Sequence, residues 1–198
     1  MHQRHSHTGF TLIELAIVLA IIGVIIGGVW YYAAQTLNKM KQEKMQDEIT
    51  QIIQNSRQVF SSANTAPVIG TNVNFTTQAI TANIFPIEMV NNNTSPPTLM
   101  DPYGQPVTLT TSGAQNTSFH LQFNTRSDSC TNIMTKFIAN TGTRDHYAIL
   151  GYSIGAGTVT TVGYNETVSI ATLATACGNG AGGNSSAFFP AGLDFYYK

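Results

Sequence analysis

Charge is scarce in this sequence. Lys and Arg number 9 against 10 Asp and Glu, so ionisable side chains make up 10% of 198 residues and the formal net charge is −1. A soluble domain usually carries about a quarter charged residues. Without a basic surface there is little electrostatic drive to displace counterions from a polyanion, so strong nucleic-acid binding is not expected. Cysteines number 2, too few for a disulfide-built miniprotein and without the spacing of a metal site. Beyond residue 9, histidine occurs only as His120 and His146. No HExxH, GxSxG, phosphate-loop or paired-carboxylate pattern is present. Gly178-Asn179-Gly180-Ala181-Gly182-Gly183 looks like a phosphate loop but lacks a following Lys-Ser/Thr, and reads as a surface loop. His120 reads as a surface or packed strand residue. No catalytic residue, metal or cofactor is expected.

What the chain does have is clustered at one end. A polar stretch, Met1 to Gly9, gives way to Leu15–Ala34, twenty residues without a charge. As a helix that run spans roughly 30 Å, the thickness of a bilayer core. Trp30, Tyr31 and Tyr32 lie near its end, where amphipathic rings suit a membrane–water interface. A cleaved secretory signal is the competing reading, but its apolar region is shorter, and Tyr32-Ala33-Ala34 puts a ring where a small residue is needed. Only Arg4 precedes the span, while Lys39, Lys41 and Lys44 follow it, a bias that by itself places the N-terminus outside. Glu14 sits among Leu12, Ile13, Leu15 and Ala16. Either it needs a partner in the membrane, or it reaches water at the interface near the positive end of the helix dipole.

The helix continues past the apolar run. Leu37, Met40, Met45, Ile49, Ile52, Ile53, Val59 and Phe60 recur at three-to-four-residue spacing, and no Gly or Pro interrupts Trp30 to Ala66. Lys44 and Glu48 form an attractive pair four residues apart. One helix from Phe10 to Ser62, about 80 Å long, is expected. Gly23, Gly27 and Gly28 either soften it, at about 1 kcal/mol each, or allow close packing between membrane helices.

From Thr65 the composition turns to Thr, Asn, Pro and Gly. Residues 66–97 read as a connecting loop with short strands or turns, and Asp101-Pro102-Tyr103-Gly104 as a turn. Strands are expected at Pro106–Thr110, Phe119–Phe123, Tyr147–Ile154 and Thr158–Tyr164, with Leu193–Tyr197 closing the sheet. Asp128 and Ser129 are expected to cap a helix that buries Cys130, Ile133, Met134, Phe137 and Ile138. Ser169 is expected to cap another over Ile170–Cys177, ended by Gly178. Outside the cytoplasm Cys130 and Cys177 would form a disulfide worth roughly 4 kcal/mol; two free buried thiols is the other reading. The Asn-x-Ser/Thr triplets at Asn93, Asn116 and Asn165 are assigned no glycosylation.

Gly9-Phe10-Thr11-Leu12-Ile13-Glu14, following a short polar leader and opening an unbroken apolar run, resembles the processing motif of type IV prepilins and related pseudopilins. The resemblance implies that a prepilin peptidase cuts between Gly9 and Phe10 on the cytoplasmic side and methylates the Phe10 amine. That places the N-terminus inside, against the Lys/Arg count. It also implies a partner for Glu14: the Phe10 amine of a neighbouring subunit, a pairing that would set registry during assembly. The cysteine-bracketed region, the Asp101–Gly104 turn and the Ala171–Cys177 segment resemble type IVb pilins, whereas the nine-residue leader and Phe10 resemble type IVa.

The implied fold is α+β: a long N-terminal helix, transmembrane in its first half, packed on an antiparallel β-sheet head with a disulfide-bracketed C-terminal region. The expected organisation is a cleaved leader over 1–9, a transmembrane and assembly half-helix over 10–34, an amphipathic half-helix over 35–62 and a globular head over 63–198. The expected function is major subunit of a type IV pilus, serving adhesion, aggregation or motility. It would be held in the inner membrane before joining an extracellular homo-oligomeric filament through the pilus assembly machinery. The alternative is a minor pilin or a type II secretion pseudopilin. The paired acidic calcium ligands of a pseudopilin are not apparent, since only Asp194 lies beyond Gly178.

Overall fold

A computed structural model of the protein describes residues 11–61, 72–112, 118–155, 158–163, 166–182 and 187–197. The chain divides into two compact units, residues 1–40 and 41–198. Helix α1, Leu12–Phe60, runs through 49 residues without a break, about 74 Å at 1.5 Å per residue. Gly23, Gly27 and Gly28 do not interrupt it, and nothing lies within 4 Å of where a Cβ would stand at any of them.

In the first unit the apolar residues of α1 face outward: Leu12, Ile13, Val24 and Trp30 are all more than two-thirds exposed. The most apolar eighteen-residue window has a mean hydropathy of 2.8, and none of it is buried. Leu37 and Met40, expected in the packed stripe, are 59% exposed, and burial along α1 begins only at Met45.

The second unit holds the core. After α1 come α2 (Thr76–Thr81), a single 3-10 turn (Ile87–Met89) and a small antiparallel pair, β1 (Val90–Asn91) with β2 (Thr98–Leu99). The main sheet is built from β3 (Thr108–Ser112), β4 (Ser118–Thr125), β5 (Ile149–Ile154), β6 (Thr160–Thr161) and β7 (Phe189–Tyr196). Its order is β3-β4-β7-β5-β6, antiparallel throughout. Between β4 and β5 lie α3 (Ser127–Met134), a π-helical turn (Thr135–Ala139) and α4 (Thr141–His146); α5 (Ile170–Gly180) precedes β7.

Period-two alternation puts Phe119, Leu121 and Phe123 of β4 and Ala191, Leu193 and Phe195 of β7 into the core, where Ile49, Ile52 and Ile53 of α1 also lie buried. An aromatic nucleus fixes the end of the helix. Phe60 meets Phe75, Phe119 and Tyr197 at ring-centroid distances of 5.9, 5.5 and 5.3 Å, and Phe75 stacks on Phe119. Such pairs add about 0.5–1.5 kcal/mol each beyond their buried area. Arg57, one turn earlier, donates from Nη1 to the His146 carbonyl at 2.8 Å and from Nε to the Tyr196 carbonyl at 3.3 Å, tying α1 to α4 and β7.

Several expectations need correction. In the described part of 66–97, where a connecting loop with short strands or turns is expected, the 3-10 turn and β1 agree and α2 does not; the Asn74 side chain accepts from Thr76 N at 3.0 Å just before that helix. The strand expected at Pro106–Thr110 lies at Thr108–Ser112. Tyr147–Ile154 shrinks to Ile149–Ile154, because Asn140 caps α4 through Thr143 N and Ala148 leaves the helix with φ +44°. Of the described residues in Thr158–Tyr164, Thr160 and Thr161 form the strand pairing with β5 and Val162 N adds one bond to the Leu150 carbonyl, before the Glu166 carboxylate accepts from Gly163 N at 2.7 Å. Asp128 and Ser129 do not cap α3: Arg126 holds that position, and Asp128 Oδ1 accepts from Ser129 N within the first turn. Helix α5 passes through Gly178 to Gly180 and stops where Gly182 takes φ +58°. The final strand, expected at Leu193–Tyr197, runs over Phe189–Tyr196 and is the centre of the sheet, hydrogen-bonded to β4 and β5.

Candidate functional site

Gly9 and Phe10 lie outside the described residues. Glu14 stands in the first turn of α1, and its partner there is Thr11. Glu14 Oε2 accepts from Thr11 N and from Thr11 Oγ1, both at 2.9 Å, and Thr11 Oγ1 in turn faces Glu14 N at 3.4 Å. This is a capping box: two of the backbone donors that every helix start leaves without an intrahelical partner are met reciprocally by a Thr and a Glu three residues on. The pattern Thr-x-x-Glu is legible in the sequence, though the carboxylate reads there only as a membrane anomaly. Around this polar turn Leu12, Ile13 and Leu15 are 86%, 68% and 56% exposed. A sheath of exposed apolar side chains on this scale needs lipid or other helices to cover it.

The head is held by a covalent staple. Cys130 on α3 and Cys177 on α5 form a disulfide with Cα atoms 5.8 Å apart, and both residues are fully buried. Each cysteine is placed by its helix. In α3 the buried side Cys130, Ile133 and Met134 continues through the π-helical turn to Phe137 and Ile138. In α5 the Ser169 hydroxyl accepts from Thr172 N at 3.1 Å, capping the helix as expected and orienting the buried pair Leu173 and Cys177. The Asp101–Gly104 turn is also present: Asp101 Oδ1 accepts from Tyr103 N and Gln105 N at 2.8 Å, and Gly104 has φ +75°.

Two polar features escape sequence reasoning because they depend on pairing across elements. His120 and Asp194 meet across β4 and β7, with Nδ1 and Oδ1 2.8 Å apart. Glu48 is 3% exposed on the helix face that packs into the head. Lys44 Nζ lies 3.8 Å from Glu48 Oε1 and 4.0 Å from Glu88 Oε1, so the pair expected at four-residue spacing is present. Burial pushes the Glu48 carboxyl up to about 7 despite Lys44, and Glu88, Asp101 and Asp47 add to the rise. Burial likewise lifts Asp101 to about 6, against the backbone N–H groups it accepts from and the charge of Lys41. Among the described residues no cluster of three His, Cys, Asp or Glu side chains could hold a metal ion.

Residues 4–30 match the prokaryotic N-terminal methylation motif, and residues 39–189 match the family described as PilS N terminal. No curated protein and no solved structure matches the chain. The methylation motif thus covers the apolar start of α1, and the PilS match covers most of the disulfide-stapled sheet. With both on one α+β chain, this protein belongs to the type IV pilin family, as a structural subunit and not an enzyme.

Proposed function

We propose that the chain is the major subunit of a type IV pilus, cut between Gly9 and Phe10 by a prepilin peptidase and methylated on the new Phe10 amine. Before assembly it is anchored in the inner membrane by residues 10–34 of its helix, with the amphipathic stretch 35–62 leading into a head over 63–198. It then passes through the pilus assembly machinery into an extracellular homo-oligomeric filament whose Thr- and Asn-rich surface serves adhesion, aggregation or motility. The observation that carries this reading is the exposure of the apolar part of α1, Leu12 to Tyr32, on a chain whose head has its own closed core.

In this reading Glu14 changes partner on assembly. The carboxylate that caps its own helix through Thr11 turns to the Phe10 amine of a neighbour as lipid is exchanged for packed helices. Leaving either charge buried alone costs on the order of 3–5 kcal/mol, which selects the register where the two meet.

Intact-mass measurement on protein sheared from native cells tests the proposal. Abundant chain beginning at Phe10 with one added methyl group is the expected result. If the processed form is confined to membranes and missing from the sheared fraction, the chain is a minor pilin or a pseudopilin. Uncut chain alone overturns the reading.

A further inference from the structure

Lys136 is an exposed cation on the π-helical turn after α3, its Nζ 5.8 Å from the centroid of the Phe137 ring. Among the described residues it forms no ion pair. Arg57, whose donors go to the His146 and Tyr196 carbonyls, likewise has no carboxylate partner there. Asp145 is the acid nearest to Lys136 in sequence, but its Oδ1 lies 3.9 Å from Arg144 Nε. Two positive charges without counter-ions therefore flank His146 in a chain whose net charge is −1.

Lys136 lines an open groove of about 530 Å³ together with Asn140, Gly142, Thr143, His146 and Tyr147; no carboxylate is in its wall. Local backbone irregularity shapes it. The five-residue π turn interrupts the helical path just before Asn140, and such turns recur at functional sites. Asn140 then caps α4 with Oδ1, accepting from Thr143 N at 3.1 Å, so the nitrogen of its amide is left as a donor. Gly142 contributes no side chain to the wall. Tyr147 is half-buried, its ring braced by Phe137 and His146 at centroid distances of 6.1 and 4.9 Å.

The lining groups make three different demands on one ligand. Lys136 suits an anion, Asn140, Thr143 and His146 suit hydroxyls, and the Tyr147 ring suits a flat apolar face. A phosphate is better matched by Arg forks or clustered backbone N–H groups than by a single ammonium. An extended acidic peptide would be held by main-chain pairing along a sheet edge, whereas this wall is made of helical turns. A uronic acid carries a carboxylate, several hydroxyls and a C–H face on one ring. Since about 150 Å³ holds benzene, the groove has room for a hexose-sized ring.

We propose that this groove binds a uronic acid unit of an acidic polysaccharide, its carboxylate on Lys136 Nζ, its ring against Tyr147 and its hydroxyls on Asn140 and Thr143. The site names a ligand class for the adhesive surface and rests on the filament reading for its use, because repetition along a filament turns a weak site into a strong one. The test needs no filament, so its failure is distinct from the failure of that reading. Full-length protein in a sugar-free non-ionic detergent is titrated with methyl β-D-glucuronide while the aromatic NMR signals of His146 and Tyr147 are followed. Saturable shifts are expected, with methyl β-D-glucoside and acetate each binding at least tenfold more weakly. Lys136→Gln should bring glucuronide down to the level of the glucoside. Gly142→Phe keeps Lys136 and fills the groove; a Cβ there meets only Asn140 Oδ1, at 3.4 Å, so the shifts should vanish with the circular dichroism unchanged. No saturable shift, equal binding of glucuronide and glucoside, or wild-type binding by either variant overturns the proposal. Acetate binding as tightly as glucuronide would reduce the site to a bare ion contact. Tenfold tighter binding of acetyl-glutamate amide would make it a peptide site, and either result sinks the sugar assignment.

Discussion

Thr11 and Glu14 satisfy one another across the first turn of α1, the carboxylate accepting from both Thr11 N and Thr11 Oγ1 at 2.9 Å. In the single chain, then, Glu14 already has work to do before any second subunit arrives. Capping and charge pairing make different demands, and a glutamine separates them. Gln at this position completes a capping box as well as Glu does, but cannot neutralise an amine. Glu14→Gln is therefore expected to insert and be processed normally yet to yield filaments at least a hundredfold below wild type, in keeping with the cost of an unpaired buried charge. Thr11→Val, which removes the hydroxyl and keeps the carboxylate, loses about 1 kcal/mol at the helix start and still assembles. Sheared-filament yield, normalised to processed protein in the membrane, reads both. Wild-type yield from Glu14→Gln would leave Glu14 with capping alone.

Local signals were legible and pairing across the chain was not. The bounds of α1 agree with expectation to within two residues at each end, because an uninterrupted apolar and then amphipathic run needs no tertiary information. The Ser169 cap and the Asp101–Gly104 turn are likewise written in a few adjacent residues. The central place of β7 is not, since strand order depends on contacts between distant segments. Helix α4 was missed because Thr141-Gly142-Thr143 reads as loop; Arg57, holding the His146 carbonyl, supports its far end. The pairing of Glu48 with Lys44 is local and legible, whereas its burial depends on contacts with distant segments of the head. At the start of α1 the residue types are legible in the sequence, and the local Thr-x-x-Glu spacing is what joins Thr11 to Glu14.

Glu48 makes the stability of the head depend on pH in an unusual direction. Its carboxyl titrates near 7 in the folded protein against an ordinary 4.5, and Asp101 near 6 against 3.8. Over this interval the folded chain holds protons that the unfolded chain has released, so stability falls as pH rises from about 4 to about 7. Below the ordinary values both states are protonated and the effect vanishes; above the folded values the penalty is complete. For Glu48 it is on the order of 3 kcal/mol. Thermal unfolding of the detergent-solubilised chain is expected to show a higher midpoint at pH 5 than at pH 8. Glu48→Gln should remove most of the dependence between pH 5 and pH 7 and leave the smaller part due to Asp101. A midpoint that rises toward pH 8 would mean that Glu48 is ionised in the folded head.

The Cys130–Cys177 bridge closes a loop of 47 residues, for which chain entropy gives about 4 kcal/mol. Both sulfurs are enclosed, so alanine is the better replacement; a serine hydroxyl would add the cost of an unpaired buried polar group. Cys130→Ala/Cys177→Ala is expected to lower the unfolding midpoint by about 8–16 °C, and reduction of the wild-type chain should match it. Filament yield should fall with head stability while membrane insertion is unaffected. An unchanged midpoint would show that α3 and α5 stay docked by packing alone.

Gly192 lies at the middle of the central strand because a larger residue has no room there. A Cβ at this position would come within 2.5 Å of His120 Cε1, 2.6 Å of His120 Nε2 and 2.9 Å of Ser153 Oγ. The imidazole covers the glycine while its Nδ1 is held by Asp194, a residue only 5% exposed. To admit a methyl group the ring must turn away, and turning breaks that bond and leaves a buried carboxylate short of its partner. Gly192→Ala is expected to cost about 1–3 kcal/mol from overpacking, with the lost bond in addition. The double variant separates these contributions. In a His120→Ala background the imidazole no longer blocks residue 192 and the Asp194 bond is already gone, leaving the Ser153 hydroxyl at 2.9 Å to rotate aside, so Gly192→Ala should cost less than in the wild type. The expected coupling is about 0.5–3 kcal/mol in thermal or denaturant unfolding. Additive losses would mean that the Ser153 hydroxyl, and not the imidazole, is what excludes the methyl group.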